Sequence, residues 1–285
     1  MSGRVGPREW AERRGRRAIA ENAPASGVST VTSEPSDRSR PWTSRSGYGV
    51  GSIHERPNPE PRSALSLDRG GFYDHDDAAL ADDAYRLYAV LDGECPSRGL
   101  TPLENLRDAW VDDDASVWLA AGLRSANEMV LQFNQAHERK LTTGATVAAL
   151  AFGAGGAVVA HLGDSRVYRY HHERLDRLTT DHTLANERLR TGRIAPEDAT
   201  EYPHARVLTR ALGLSGPVDI DGMHITALPR DRFLLCNDGV WSGLPEETIA
   251  EVLATETLVD APRELVKRSR AQGSREKLAI VVEVA

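Results

Sequence analysis

Apolar positions in this chain cluster in short continuous runs. "RLYAVL", "ATVAALAF", "GAVVAHLG", "FLLCN" and "LAIVVEV" are each too short for a core helix and rich in Val, Leu, Ile or Phe. Runs of that length bounded by turn residues read as buried strands. "SRVYRY" alternates and reads as a further strand. The "GAGG" between the second and third runs predicts a hairpin. A different period governs "ASVWLAAGLRSANEMVLQFNQAHERK", where Leu119, Leu123, Ala126, Val130 and Phe133 fall on one helical face. Asp112, Asp113 and Asp114 precede it and suit the positive end of its dipole. Helical patterns return at "PEETIAEVLA" and "PRELVKRSRAQ". Blocks of hairpin-linked strands separated by long helices predict antiparallel sheets with helices packed outside.

Two segments break the pattern. Residues 1–64 are rich in Ser, Arg, Pro and Gly and hold no sustained period. Such a composition buries too little apolar area to offset its ordering entropy, so we expect a disordered N-terminal segment and a folded domain over 65–285. The other is "TTDHTLANERLRTGRIAPEDATEYPHARVLTRALG", polar and long, which reads as a surface excursion.

Composition narrows the function classes. The 285 residues are 40% hydrophobic, enough for a substantial core, and the net charge of -7 argues against a general nucleic-acid binder. No apolar run reaches the ~18 residues of a membrane span, and the Arg-bearing N-terminus lacks the apolar stretch of a secretory signal. Two cysteines, Cys95 and Cys236, give no disulfide framework and suit a reducing cytoplasm. Cys236 ends an apolar run and reads as a buried small residue. His75, His161, His182 and the pair His171–His172 follow no zinc spacing; His161 reads as strand and the pair as an exposed turn.

Acids at the strand tips carry the chemistry. "YAVLDG" ends on Asp92–Gly93 and "FLLCNDG" on Asp238–Gly239; Asp164 follows another run, and Asp76 and Asp77 lie upstream. A lone Asp-Gly after a strand is usually a turn. Carboxylates gathered at several strand ends repel unless neutralised, and hard divalent cations with oxygen ligands do this.

Eight segments in order, "SLDRGGFYDHDDAAL", "YAVLDG", "GATVAALAF", "HLGDSRVYRY", "LTTDHT", "VLTRALG", "FLLCNDGVW" and "AQGSREKLAIVVEV", resemble the PPM family of bacterial 2C-type Ser/Thr protein phosphatases. The resemblance spans about residues 66–285. It implies an α+β fold, a four-layer αββα sandwich of two antiparallel sheets with helices outside, and a site for two Mn²⁺ or Mg²⁺ ions with a third, weaker one. It makes Asp92 the ligand shared by both ions, with the Gly93 carbonyl as a further ligand, Asp238 on the first ion and Asp77 acting mainly through metal-bound water. Asp164 matches the acid that helps hold the third ion, and residues 181–207 match a flap beside the site. The implied reaction is hydrolysis of phosphoserine and phosphothreonine in proteins by a metal-bridging hydroxide, in a cytoplasmic monomer.

Departures from the family pattern keep a second reading open. The terminal Gly-Ser-x-Asp-Asn reads Gly273-Ser274-Arg275-Glu276-Lys277, so Glu276 takes the ligand position and Lys277 replaces Asn. The phosphate-gripping Arg has no counterpart in place before the first acid, where Arg69 matches a turn residue, which leaves Arg98 and Lys277, or Arg69 itself, to bind the phosphate. A pseudophosphatase serving as a binding module is the alternative to an active enzyme.

Overall fold

The computed structural model describes residues 18–19, 60–68, 77–93, 100–108, 115–136, 144–153, 156–199, 201–214, 216–270 and 276–285. Arg69, Arg98, Cys95, Asp76, Asp112, Asp113 and Asp114 lie outside them. The strands are β1 (Ala18–Ile19), β2 (Pro61–Asp68), β3 (Ala78–Asp82), β4 (Leu87–Gly93), β5 (Ala145–Gly153), β6 (Gly156–Leu162), β7 (Arg166–His171), β8 (Arg174–Arg177), β9 (Asp221–Ile225), β10 (Arg232–Cys236) and β11 (Lys277–Val284). The helices are α1 (Leu100–Asp108), α2 (Ala115–Ala136), α3 (Leu184–Arg190), α4 (Asp238–Trp241), α5 (Glu246–Thr255) and α6 (Ala261–Arg270).

Among the described residues the strands form two sheets, ordered β1-β3-β4-β5-β6-β9 and β2-β11-β10-β7-β8, with every pairing antiparallel. Each is covered on both faces, which is why the sequence shows continuous apolar runs. In β4, Tyr88 and Val90 enter the core between the sheets, while Leu87, Ala89 and Leu91 meet α1 and α2 through Leu103, Leu106, Leu119 and Leu123. In β10, Phe233 and Leu235 face the other sheet, while Leu234 and Cys236 meet α5 and α6 through Ile249, Val252 and Leu265. The layers are therefore helix, sheet, sheet, helix: the αββα sandwich expected. Phe152 ties the two sheets together, edge-on to Tyr88 at 6.1 Å and to Phe233 at 5.9 Å. Truncating such a side chain costs about 3–5 kcal/mol.

Several elements escaped the sequence reading. β3 is five residues, β8 four, and α3 lies inside the predicted surface excursion, capped at its start by the Thr183 side chain on Asn186 N–H. The domain boundary expected at residue 65 falls inside β2. That strand starts at Pro61 and pairs with β11 along its whole length, Pro61 with Val284 through Asp68 with Lys277. Its position at a sheet edge tolerates a proline at the first residue. The two-residue β1, inside the segment expected to be disordered, pairs with β3. Among the described residues no helix is long and apolar enough to cross a membrane.

The β2 register gives a test. A chain of residues 60–285 keeps the β2–β11 ladder, whereas 66–285 loses its first five residues. We expect the shorter chain to melt lower by about 5 °C or more, given that ~1 kcal/mol moves a domain of this size by 2–4 °C. Equal midpoints in a thermal melt would place the boundary at 65 after all.

Candidate active site

The antiparallel register brings the acids together. β3 and β4 pair Ala78 with Leu91. Carried one residue further, that register sets Asp77 opposite Asp92. Side chains alternate across a strand, so Asp92 shares the inward face of Tyr88 and Val90. Asp77 is 3% exposed; its Oδ1 accepts the Gly93 N–H at 3.3 Å, and its carboxyl hydrogen-bonds that of Asp92. The other sheet contributes Asp238, the first residue of α4, separated from the end of β10 by Asn237 alone. Asp164 lies in the turn between β6 and β7.

Two glycines permit this closeness. Gly93 has φ +123, a conformation L side chains rarely adopt, and a Cβ there would lie 2.5 Å from the Gly144 carbonyl oxygen. At Gly239 a Cβ would lie 1.7 Å from the Glu276 carbonyl oxygen. The chain can therefore carry Asp238 across the start of β11 only with glycine next to it.

Asn237 was not assigned a role from the sequence, yet it joins the two sheets beneath the acids. Its Nδ2 donates to Asp77 Oδ2 at 3.0 Å and to the Glu276 carbonyl at 3.1 Å, and its Oδ1 accepts the Leu278 N–H at 3.0 Å. An asparagine after a strand carries no pattern signal of its own; only the pairing of β10 with β11 and the facing of the sheets give it meaning. A second unforeseen group supports Asp164. Trp241 Nε1 donates to the Asp164 carbonyl at 2.9 Å, and the Arg166 guanidinium lies 3.4 Å from the Trp241 ring centroid. Arg166 is fixed by Asp181 through contacts of 2.8 and 2.7 Å and by the Tyr168 hydroxyl at 2.9 Å.

Crowding shows in the acidities. Burial first, and then the charges of Asp77, Asp238 and Asp164, push the Asp92 carboxyl well above the usual carboxylate range. Burial raises Asp77 to about 6, although hydrogen bonds from Asp92, Gly93 and Asn237 act against it. Burial and the charges of Asp238 and Asp181 raise Asp164 to about 7. Such a set accepts positive charge, and its donors are all oxygen. This fits Mg²⁺ or Mn²⁺ rather than a thiolate- or imidazole-preferring metal.

Of the remaining candidates, Glu276 immediately precedes β11 and Lys277 is its first residue. Lys277 is 2% exposed, with Asp68, Arg270 and Asp238 as its charged neighbours. Burial lowers its pKa.

A second cluster, His161, His182 and Asp221, has its potential ligand atoms within 4.8 Å of one another. Its hydrogen bonds argue against a metal. His182 Nδ1 accepts the Gly163 N–H at 3.1 Å, which assigns the proton to Nε2, 3.2 Å from Asp221. His161 Nε2 faces the Thr180 carbonyl at 3.0 Å, and Arg210 already pairs with Asp221 at 2.6 Å. A neutral imidazole has one lone pair, and that of His182 is in use. The cluster pins the start of the 181–207 segment to β6 and β9. As expected, His161 lies in β6 and Cys236 is buried, its thiol pushed up to about 12 by burial; of the pair read as an exposed turn, only His172 lies in the β7–β8 turn, while His171 ends β7 and pairs with Asp231.

No protein-family model matches the chain. It is similar to the serine/threonine phosphatase Stp of Listeria monocytogenes, with 29% identity over 185 residues, 62% of this chain and 73% of that protein. Among solved structures it is similar to the PPM Ser-Thr phosphatase MsPP of Mycobacterium smegmatis in complex with cacodylate. There the identity is 30% and the TM-score 0.69, over 79% of this chain and 98% of that one. The catalytic domain of the phosphatase PstP in complex with two manganese ions aligns at 26% identity and TM-score 0.67, covering 79% of this chain and 98% of that one.

The raised acidities fix a pH dependence. In chelator, the folded protein holds protons on Asp92 and Asp164 at pH values where the unfolded chain has released them, near pH 4. Stability then falls as pH rises, because the native state binds more protons. Below about pH 6.5 the buried His161, lowered to about 4, works in the opposite sense, so the fall is read from about pH 6.5 upward, through the Asp164 value of about 7. We expect the thermal midpoint in chelator to drop across that window, and Mn²⁺ to raise it more at pH 8.5 than at 6.5. A flat or rising midpoint in chelator would contradict the crowded-acid account.

Proposed function

The chain belongs to the PPM family of serine/threonine phosphatases, and from that premise we propose which of its residues perform the reaction. The activity is metal-dependent hydrolysis of phosphoserine and phosphothreonine in proteins. Asp92 and Asp77 from one sheet and Asp238 from the other hold two divalent ions, with the Gly93 carbonyl as a further ligand. Asp164 with its Trp241 and Arg166 support takes a third, and Glu276 stands at the edge of the set. Bound there, the ions supply Lewis acidity to the phosphoryl oxygens and acidify a water.

The chain's own part is orientation. The Asn237 amide and the Gly93 N–H fix both oxygens of Asp77, so that its carboxylate keeps one orientation as charge in the site changes. Sheet backbones on either side hold Asp92 and Asp238 in place without reorganisation. The single observation that carries this reading is the convergence of four carboxyls: Asp77 and Asp92 of one sheet hydrogen-bond each other, and Asp92 feels the charges of Asp164 and of Asp238 from the other sheet.

Mn²⁺ is the better fit of the two metals. Glu276 carries one methylene more than an aspartate, and Mg²⁺ demands near-ideal octahedral geometry. Arg98 remains a candidate for the substrate phosphate. Lys277, almost fully buried beside Asp238 and Asp68, is better suited to balancing their charge than to gripping a phosphate directly.

Purified protein should hydrolyse 4-nitrophenyl phosphate with Mn²⁺ and stop when chelator is added. Asp92→Asn should lower kcat by about 10³-fold or more, the scale of losing a principal electrostatic group. Glu276→Asp should raise the rate with Mg²⁺ relative to Mn²⁺. Turnover that persists in excess chelator, or undiminished in Asp92→Asn, contradicts the assignment.

A further inference from the structure

Among the described residues, Arg206 is the one exposed arginine held against the acid site's aromatic support without an acidic partner. Its guanidinium lies 5.4 Å from the Trp241 ring centroid. Among the described residues it meets no carboxylate and no hydrogen-bond acceptor. The other cation on that ring, Arg166, is already engaged by Asp181 and Tyr168.

The backbone that carries Arg206 is fixed on both sides. The Ala205 carbonyl accepts the Ala185 N–H at 3.2 Å, and the Val207 carbonyl accepts the Leu184 N–H at 2.8 Å. Both donors belong to the first turn of α3. The turn leading in is closed by Ala205 N–H to Tyr202 and Val207 N–H to His204, with His204 at φ 59. A long side chain on a fixed base, resting on an aromatic face, loses less freedom on binding an anion than a loose one does.

Its distance from the acids tells which anion it meets. Trp241 Nε1 donates to the Asp164 carbonyl and its ring carries the Arg206 guanidinium at 5.4 Å, so the indole links Asp164 to Arg206. An indole's breadth corresponds to about two or three residues of extended chain at ~3.3 Å each. We propose that Arg206 reads an acidic side chain two or three residues from the phosphorylated residue of the protein substrate. A guanidinium takes a carboxylate in paired hydrogen bonds, which gives direction as well as charge. This makes Arg206 a determinant of which phosphoproteins are chosen, set apart from the phosphate and the ions. The inference rests on the phosphatase reading.

The test compares wild type with Arg206→Ala, Arg206→Lys and Arg206→Glu, all with Mn²⁺. The substrates are 4-nitrophenyl phosphate, which has no flank, and two phosphothreonine peptides. One peptide carries Glu at two and three residues on both sides of the phosphothreonine, and the other carries Gln there. Wild type should prefer the Glu peptide by about fivefold in kcat/KM, the scale of a partly exposed ion pair. Arg206→Ala should bring that ratio close to one through KM, Arg206→Lys should keep part of it, and Arg206→Glu should invert it. Rates on 4-nitrophenyl phosphate should stay within about twofold. A wild type that turns over all three substrates without preferring Glu overturns the inference, as does a preference that survives in Arg206→Ala. So does an equal loss on 4-nitrophenyl phosphate. A wild type that turns over none of them contradicts the phosphatase reading itself.

Discussion

Like charges held close together in a poorly hydrated place are the constraint on which this structure depends. Asp77, Asp92, Asp164 and Asp238 come from different strand ends, and burial together with their mutual charge raises the acidities of Asp77, Asp92 and Asp164. Loose loops carrying four such acids would splay them into water. Here they cannot separate, because each is tied to a sheet or helix whose two faces are buried in apolar cores. Hydrophobic burial thus holds together what electrostatics would push apart, and the result is a standing demand for divalent cations. The same demand explains the local details. Glycine is needed at 93 and 239 because the backbones meet there, and Asn237 is needed because a neutral amide can bind Asp77 and cross between sheets without adding charge.

Much of this was legible in the sequence. β4, β5, β6, β10 and β11 were readable because strands covered on both sides become unbroken apolar runs. Asp92 and Asp238 stood out because an acid and a glycine follow such runs directly. β3 was not readable: "AALAD" is too short to show a period, and its neighbours are polar. β2 was read partly as tail because "PRSALSLD" begins with proline and arginine and alternates weakly, and only its ladder with β11 identifies it.

The supporting groups were harder still. Asn237, Trp241, Arg166 and Arg206 act through partners far away in sequence, such as Trp241 on Asp164 across 77 positions. No spacing rule reports contacts of that range. His161, His182 and Asp221 are the converse case: their sequence spacing matched no zinc pattern, and although they lie close together their hydrogen bonds leave no room for a metal. With one imidazole lone pair spent on a backbone N–H and an arginine on the carboxylate, the trio is a clasp between the 181–207 segment and the first sheet.

The most direct test of the central claim is anomalous diffraction from crystals of this protein grown with Mn²⁺. The account predicts two strong peaks about 3.5–4 Å apart, the usual separation of paired ions, with Asp92 touching both and Asp238 touching one. Peaks found only at His161, His182 and Asp221, or none within bonding distance of Asp92, would contradict it.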